Sequence, residues 1–173
     1  LAYTSFGGDI LQIEATRFTG KGRLVLTGQL GDVMKESASI ALDYVRTHAN
    51  EFKIDPKLFE ENDVHIHVPE GAVPKDGPSA GVTMTTALVS CFSNIPVKAN
   101  LAMTGEVTLR GNVLPIGGLK EKSLAAHRSG IDTILIPKEN VKDLDDVPQE
   151  VKDAVTFIPC SNVSQVLHNA LVK

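Results

Sequence analysis

The chain has little cysteine and no long hydrophobic run. No stretch of about 18 apolar residues occurs in its 173 residues, so a transmembrane helix is not expected. Its two cysteines, Cys91 and Cys160, lie outside any C-x-x-C or metal-type spacing, which argues against a disulfide framework or a zinc site and favours a reducing, cytosolic compartment. The N-terminus has neither an initiator methionine nor a secretory leader, which suggests a fragment excised from a longer protein.

A concentrated basic face is also missing. The 17 basic and 21 acidic residues are interspersed and give a net charge of −4, so nucleic-acid binding through the phosphate backbone is not expected. With 42% hydrophobic and 22% charged residues, the composition is typical of a soluble globular protein. The sequence contains no internal repeat and no linker, so we expect one domain over residues 1–173.

In the first half of the chain, strand patterns flank a helix pattern. "DILQIEAT" and "RLVLTG" have strand-like apolar patterns, and the two strands are candidates for pairing with each other. Apolar residues then recur at helical spacing from Asp32 to about Ala49, and this face includes Val33 and Ile40. "VHIHV" predicts a further strand, followed by a loop over 69–77.

The second half continues the alternation. A hairpin is predicted around Gly111-Asn112, and a short helix over 118–129 is followed by Gly130 as its C-terminal glycine. "DTILIP" and "AVTFIP" predict two strands separated by a loop with a helical turn, and a last amphipathic helix covers 162–172. The predicted class is therefore α/β, with mixed sheet layers and packed helices.

Ser79 stands between a glycine-rich turn and the start of a predicted helix, in "PKDGPSAG". A serine at this point most often caps the helix. It can also be a nucleophile, if a neighbouring base removes its proton. The G-x-S-x-G pattern around it is typical of a nucleophile elbow, but that motif needs a strand running directly into the turn, and here a loop of about ten residues intervenes.

Histidines are the first candidate bases. His127 and His168 lie on amphipathic helices among ordinary surface neighbours, which argues against a Ser-His-Asp triad. His65 and His67 point to the same side of their strand, so they either line a partly polar sheet face or bind a metal with a third ligand. That strand leads into the Ser79 loop, so His67 is a candidate supporting residue for a site at Ser79.

Lys122 is the other candidate base. On a helical wheel at about 100° per residue, it lies between Ala125 and Ala126, whereas Lys120 lies toward the polar side with His127. Burial on such a face lowers a lysine pKa by as much as about 3–5 units, which a Ser-Lys pair requires. The competing interpretation is a lysine whose stem covers apolar surface while its ammonium stays in water.

The turn before the helix offers backbone donors. Gly77 permits a tight turn, and N–H groups from Gly77 to Ala80 are suited to hold a developing oxyanion. The same groups suit a phosphate, so a phosphate- or nucleotide-binding domain using the Gly77–Ala80 turn stays open as an alternative. The sequence has no G-x-x-x-x-G-K-[ST] loop, which would have favoured the nucleotide-binding alternative.

Three long segments carry a family resemblance: "HVPEGAVPKDGPSAG", "AMTGEVTLRGNVLPIGGLKEKSLAAHRSG" and "ILIPKEN". They resemble the proteolytic domain of Lon, the ATP-dependent serine protease, and the likeness runs from about "FGGDILQIEA" to the C-terminus. The resemblance implies the family's α/β fold. It implies Ser79 as nucleophile, Lys122 as general base, Thr104 as a residue that orients the lysine, and Asp76 as a regulatory acid.

The resemblance also implies partners that this chain does not itself contain. Family members assemble into homohexameric rings and receive unfolded polypeptide from an attached ATPase module, which uses ATP and magnesium. No cofactor or metal is implied for this domain. The sequence is closer to the soluble branch of the family, which implies a parent in the bacterial cytoplasm, with the mitochondrial matrix as the second choice.

Overall fold

A computed structural model describes residues 1–4 and 7–172. Strands and helices alternate along the chain, which confirms the α/β class. The strands are β1 (Ala2–Thr4), β2 (Gly7–Asp9), β3 (Glu14–Thr19), β4 (Leu24–Thr27), β5 (Asn62–His67), β6 (Leu101–Met103), β7 (Glu106–Val107), β8 (Val113–Leu114), β9 (Thr133–Pro137) and β10 (Thr156–Cys160). The helices are α1 (Asp32–Thr47), α2 (Lys57–Glu61), α3 (Gly81–Ser93), α4 (Leu119–Arg128), α5 (Gln149–Ala154) and α6 (Val163–Ala170), with a 3₁₀ helix at Lys138–Asp146.

The two strands predicted near the N-terminus, β3 and β4, do not pair with each other. β5 lies between β3 and β4, antiparallel to the first and parallel to the second. Val64 and Ile66 of β5 are buried, so the most apolar strand occupies the centre of the sheet, where it loses most contact with water. The prediction of a direct pair was therefore wrong, and the first strand also begins later than predicted, at Glu14.

A second sheet contains β10, β9 and β6 in that order, all parallel. Its central strand is apolar on both faces, because Ile134, Leu135 and Ile136 are almost completely buried. The predicted hairpin is confirmed: Val107 pairs with Val113 in the antiparallel β7–β8 ladder, and Gly111 adopts a positive φ of 83° in the turn.

The long helix α1 is confirmed, and most of its predicted face is buried, including Ala41 and Tyr44, but not Val33. Met34, Ala38 and Val45 are buried, whereas Val33 is 42% exposed. Gly130 follows α4 with φ 80° and donates to the carbonyl of His127, as expected for a C-terminal glycine. The β1–β2 hairpin and the short helices α2 and α5 were not predicted, because such short elements have too few residues to show a period.

Two hydrophobic clusters form the interior. The larger one packs α1, α3 and α6 against the sheet around β5, and the smaller one packs α4 and α5 against β9. One face of α4 therefore packs in the smaller cluster, together with β9. The neighbour of β9 in its sheet is β6, and the chain continues from β6 into the β7–β8 hairpin. In the part of the chain that the structure describes, no helix is both long and apolar enough to cross a membrane.

Candidate active site

Ser79 lies in the turn immediately before α3. The helix begins at Gly81, its N-cap is Ala80, and no side chain caps it, so the interpretation of Ser79 as a helix cap is wrong. The serine is half-buried. Its carbonyl accepts a hydrogen bond from the Gly105 N–H at 2.9 Å, and Val82 donates to the Gly105 carbonyl at 3.1 Å. The backbone at Ser79 is thereby fastened to the segment after β6.

Glycine fits closely at this junction. A Cβ on Gly105 would lie 2.8 Å from the Val113 Cγ1, which is closer than real Cβ contacts, and 3.0 Å from the Val82 Cγ1, which would have to shift. A Cβ on Gly81 would lie 3.0 Å from the Val107 backbone nitrogen. The start of α3 therefore approaches the β6–β7 connection as closely as its backbone allows, and a side chain at either glycine would force the two apart.

Lys122 is buried in α4, with 3% of its surface exposed, beside buried Ala125 and Ala126. The helical-wheel prediction is confirmed, because Lys120 of the same helix is exposed. Burial penalises the charged ammonium and lowers the pKa of Lys122 from 10.5 to about 8. Near neutral pH, a useful fraction of this amine is therefore uncharged and able to accept a proton.

The Lys122 amine donates a hydrogen bond to the Thr104 hydroxyl, 3.3 Å away. Thr104 is itself buried, and its N–H donates to the Leu135 carbonyl of β9, which fixes its position at the end of β6. Ser79 and Lys122 thus approach the consecutive residues Thr104 and Gly105 from two sides. Within the described residues, no hydrogen bond joins the two side chains directly.

Backbone donors lie at the same turn. Of the residues from Gly77 to Ala80, Pro78 has no N–H, and the Gly77 N–H donates to the Asp76 carboxylate at 2.9 Å. The N–H groups of Ser79 and Ala80 have no hydrogen-bond partner in residues 1–4 and 7–172. These two are the donors available for an anionic oxygen beside the Ser79 side chain.

The Asp76 carboxylate lies at the N-terminus of α1. It accepts a hydrogen bond from the Met34 N–H at 2.9 Å and so caps the first turn of that helix from a distant part of the chain. A Cβ on Gly31, the N-cap residue, would collide with this carboxylate, so the glycine makes room for it. In this conformation Asp76 organises the loop and does not pair with Lys122, and its regulatory role stays a prediction.

The histidine pair lies on the outer face of β5. The Thr27 hydroxyl is 2.6 Å from the His67 Nδ1 and 2.8 Å from the His65 Nε2, so both rings are engaged with β4. No group of three or more His, Cys, Asp or Glu suited to a metal occurs among the residues that the structure describes. The pair therefore belongs to a polar sheet face, and none of the recorded contacts of His67 reaches Ser79.

Sequence reasoning missed three residues that shape this site. A Cβ on Gly8 of β2 would collide with the backbone of Glu121 and lie 3.0 Å from the backbone nitrogen of Lys122. The β1–β2 hairpin therefore packs directly against the backbone of α4. Asn140 is buried and bonds to both backbone groups of Ile116, just before α4. Lys75 is buried in the Ser79 loop. Asn140 lies in the segment "ILIPKEN" and Lys75 in "PKDGPSAG", both of which carry the family resemblance. No local sequence pattern, however, predicts which groups these two side chains bind.

Known proteins match the chain over its whole length. The family described as "Lon protease (S16) C-terminal proteolytic domain" matches residues 1–173. A Lon protease of Brevibacillus choshinensis is 60% identical over 173 residues, 100% of this chain and 22% of the relative. A Lon protease of Bacillus thuringiensis (strain Al Hakam) is 62% identical over 172 residues, and Lon protease 1 of Bacillus subtilis (strain 168) is 59% identical over 172, each covering 99% of this chain and 22% of the relative.

The chain thus spans about a fifth of the length of these curated relatives. Since the family match covers every residue and the identity is near 60% over the full chain, the chain belongs to the family of Lon protease C-terminal proteolytic domains.

Proposed function

We propose that the chain is a serine endopeptidase domain in which Ser79 is the nucleophile and Lys122 the general base. The observation that carries the proposal is the buried Lys122 amine, with its lowered pKa and its hydrogen bond to Thr104, adjacent to the residue that holds the Ser79 backbone. A serine hydroxyl needs such a base, and an ordinary lysine is almost fully protonated at neutral pH.

In this mechanism, the neutral Lys122 amine takes the proton from the Ser79 hydroxyl as its Oγ attacks the scissile carbonyl carbon. The carbonyl π electrons move to the oxygen, which accepts hydrogen bonds from the Ser79 and Ala80 N–H groups. The Lys122 ammonium then protonates the leaving amine as the C–N bond breaks. Water, deprotonated by the same amine, hydrolyses the acyl-serine and regenerates Ser79.

Thr104 orients the base in this proposal, since its hydroxyl accepts from the amine that must turn toward Ser79. The two reacting side chains have no hydrogen bond in this structure, and such bonds commonly tighten only when substrate is bound. A phosphate at the Gly77–Ala80 turn is the weaker alternative, because the Asp76 carboxylate already accepts from the Gly77 N–H and Pro78 has no N–H, which leaves two backbone donors for a group with three or more oxygens.

The longer protein is proposed to degrade unfolded or damaged polypeptides in the cytoplasm as a homohexameric ring. ATP and magnesium would be used by its ATPase module, because the proposed chemistry of this domain needs neither. This proposal about the longer protein rests on the family membership, since this chain covers 22% of the length of the Brevibacillus choshinensis relative.

Covalent labelling tests the nucleophile. A serine-reactive peptidyl phosphonate is incubated with the wild-type chain, and the modified residue is mapped by mass spectrometry. We expect the label on Ser79, its loss in Lys122→Arg, whose guanidinium cannot give up its proton, and its retention in the matched control Lys120→Arg. Labelling at another serine, or equal loss in both arginine variants, would refute the dyad. Saturable protection by ATP alone would favour the phosphate-binding alternative.

A further inference from the structure

Lys75 is a buried lysine whose ammonium has no carboxylate partner. Only 9% of the residue is exposed, and within the described part of the chain the salt bridge formed is between Arg23 and Asp63, away from Lys75. Its Nζ donates to three backbone carbonyls instead: Gly28 at 2.9 Å, Glu70 at 2.5 Å and Val73 at 2.8 Å. An ammonium has three donors, so all of its hydrogen-bonding capacity is used inside the protein.

The three carbonyls come from two separate segments. Glu70 and Val73 belong to the loop that leads from β5 to Ser79, and Gly28 belongs to the turn after β4. Two backbone hydrogen bonds reinforce the connection, from the Lys75 N–H to the Gln29 carbonyl and from the Gly31 N–H to the Lys75 carbonyl. The ammonium thus folds the loop onto itself and fastens it to the β4–α1 turn.

This attachment lies close to the nucleophile. Lys75 precedes Ser79 by four residues, and between them Gly77 has a φ of 121°, a conformation that a residue with a side chain rarely adopts. Beyond Gly77, the Ser79 carbonyl is held by Gly105. The loop is therefore fixed on both sides of this turn, and Lys75 and its neighbour Asp76 supply the attachment on the N-terminal side.

We infer that Lys75 is a positioning residue for Ser79. Its ammonium holds the loop so that the Ser79 hydroxyl and the free N–H groups of Ser79 and Ala80 face Thr104 and Lys122. The inference rests on the proposed peptidase function, and Lys75 itself touches no reacting atom. Hydrogen bonds from a charged donor are stronger than neutral ones. If the ammonium were removed, the Gly28 and Val73 carbonyls would lose the donor that they have here, and the Glu70 carbonyl would keep only the Val73 N–H.

The test compares Lys75→Met, which keeps the length of the side chain and removes its donors, with Lys75→Arg, which keeps charge and donors in another geometry. Lys57→Met replaces an exposed lysine and serves as the matched control. The phosphonate labelling rate of Ser79, kcat and KM for a fluorogenic peptide, and the pH midpoint of kcat are measured. Hydrogen exchange of residues 70–80 reports the loop directly.

In Lys75→Met we expect labelling and kcat to fall at least about tenfold, with KM within about twofold and the pH midpoint unchanged, because Lys122 is not affected. Lys75→Arg should recover part of the loss, and exchange should accelerate in the loop only. A folded Lys75→Met with wild-type labelling, or a changed pH midpoint, would overturn the inference. If Lys75→Met does not fold, wild-type labelling and loop exchange in Lys75→Arg would overturn it.

Failure of the peptidase proposal gives a different pattern. The wild-type chain would then carry no label on Ser79, although exchange in the loop would still accelerate in Lys75→Met. If wild type is labelled and the Lys75 variants match it in labelling and loop exchange, the inference about Lys75 fails while the proposed nucleophile stands.

Discussion

The Lys122 amine lies 3.3 Å from the Thr104 hydroxyl, and both residues are buried. The lysine is fixed by a helix and the threonine by the end of a parallel strand, so the bond joins two separate elements of the fold. It directs the amine toward the segment that also holds the Ser79 backbone.

Removal of the Thr104 hydroxyl should slow the reaction without abolishing it. In Thr104→Val, the shape is kept but the amine loses its acceptor, so we expect kcat to fall roughly tenfold to a hundredfold, the range of a lost orienting hydrogen bond. Thr104→Ser keeps the hydroxyl and should retain most of the activity. Peptide hydrolysis under saturating substrate measures the effect, and full activity in Thr104→Val would leave the threonine only a strand residue.

The pH dependence of the reaction should follow Lys122. Because burial lowers its pKa to about 8, the amine is mostly protonated and inactive below that pH and becomes a base above it. The peptidase rate should therefore rise with pH, with a midpoint near 8. His67→Ala should leave the profile unchanged, since His67 is bonded to Thr27. A midpoint that disappears in His67→Ala would identify the histidine as the base.

The same lysine should weaken the fold in a pH-dependent way. The pKa is about 8 in the folded chain and 10.5 for an unperturbed lysine, so the unfolded state binds more protons between these values. The loss of folding free energy that the buried ammonium causes is complete below pH 8 and disappears as the pH rises past 10.5. Lys122→Met should raise the free energy of unfolding by on the order of 3 kcal/mol at pH 7, at about 1.4 kcal/mol per pKa unit.

Urea unfolding at pH 7 and at pH 10.5 measures this difference. The advantage of Lys122→Met should shrink at the higher pH, where the wild-type amine is neutral in the folded state and only half-protonated in the unfolded state. Lys120→Met, an exposed lysine of the same helix, is the control and should change stability little at either pH. An advantage that is equal at both pH values would mean that packing, and not the buried charge, determines the difference.

Two substitutions separate the structural and regulatory roles of Asp76. Asp76→Ala removes the acceptor for the Met34 N–H and should cost about 0.5–2 kcal/mol of stability, as for a lost helix cap. Asp76→Asn keeps an acceptor and should cost less. If the charge restrains the active site by pairing with Lys122 in another conformation, Asp76→Asn should also raise the basal peptidase rate or shift its pH optimum downward.

Thermal unfolding and peptide hydrolysis are measured on the same Asp76 preparations. A stability loss in Asp76→Ala with an unchanged rate and pH profile in Asp76→Asn would leave Asp76 as a capping residue only.

The isolated chain should cleave short or unstructured peptides slowly and leave folded proteins intact, because all of its 173 residues match a proteolytic domain. If ring assembly orders the loop around Ser79, specific activity should rise with protein concentration, since a competent population then limits the rate. Turnover and sedimentation are measured over the same concentration range. Constant specific activity while an oligomer forms would exclude assembly as the activator, and ATP should have no effect.

The sequence by itself determined the alternation of helices and strands and which of the two lysines of α4 is buried. Both depend on a short-range period: Lys122 shares a face with Ala125 and Ala126 because α4 repeats every 3.6 residues, and Lys120 does not. The hairpin around Gly111 and the C-terminal Gly130 also follow from local backbone preferences.

Only the tertiary structure decided which distant groups meet. The insertion of β5 between β3 and β4, the hydrogen bond between Lys122 and Thr104, and the Asp76 cap on α1 join segments far apart in sequence. Lys75 shows the same limit, because its partners are backbone carbonyls, which every residue has and no sequence pattern marks. Periodicity reports which side of an element is buried, whereas the partner on that side is chosen by packing of the whole chain.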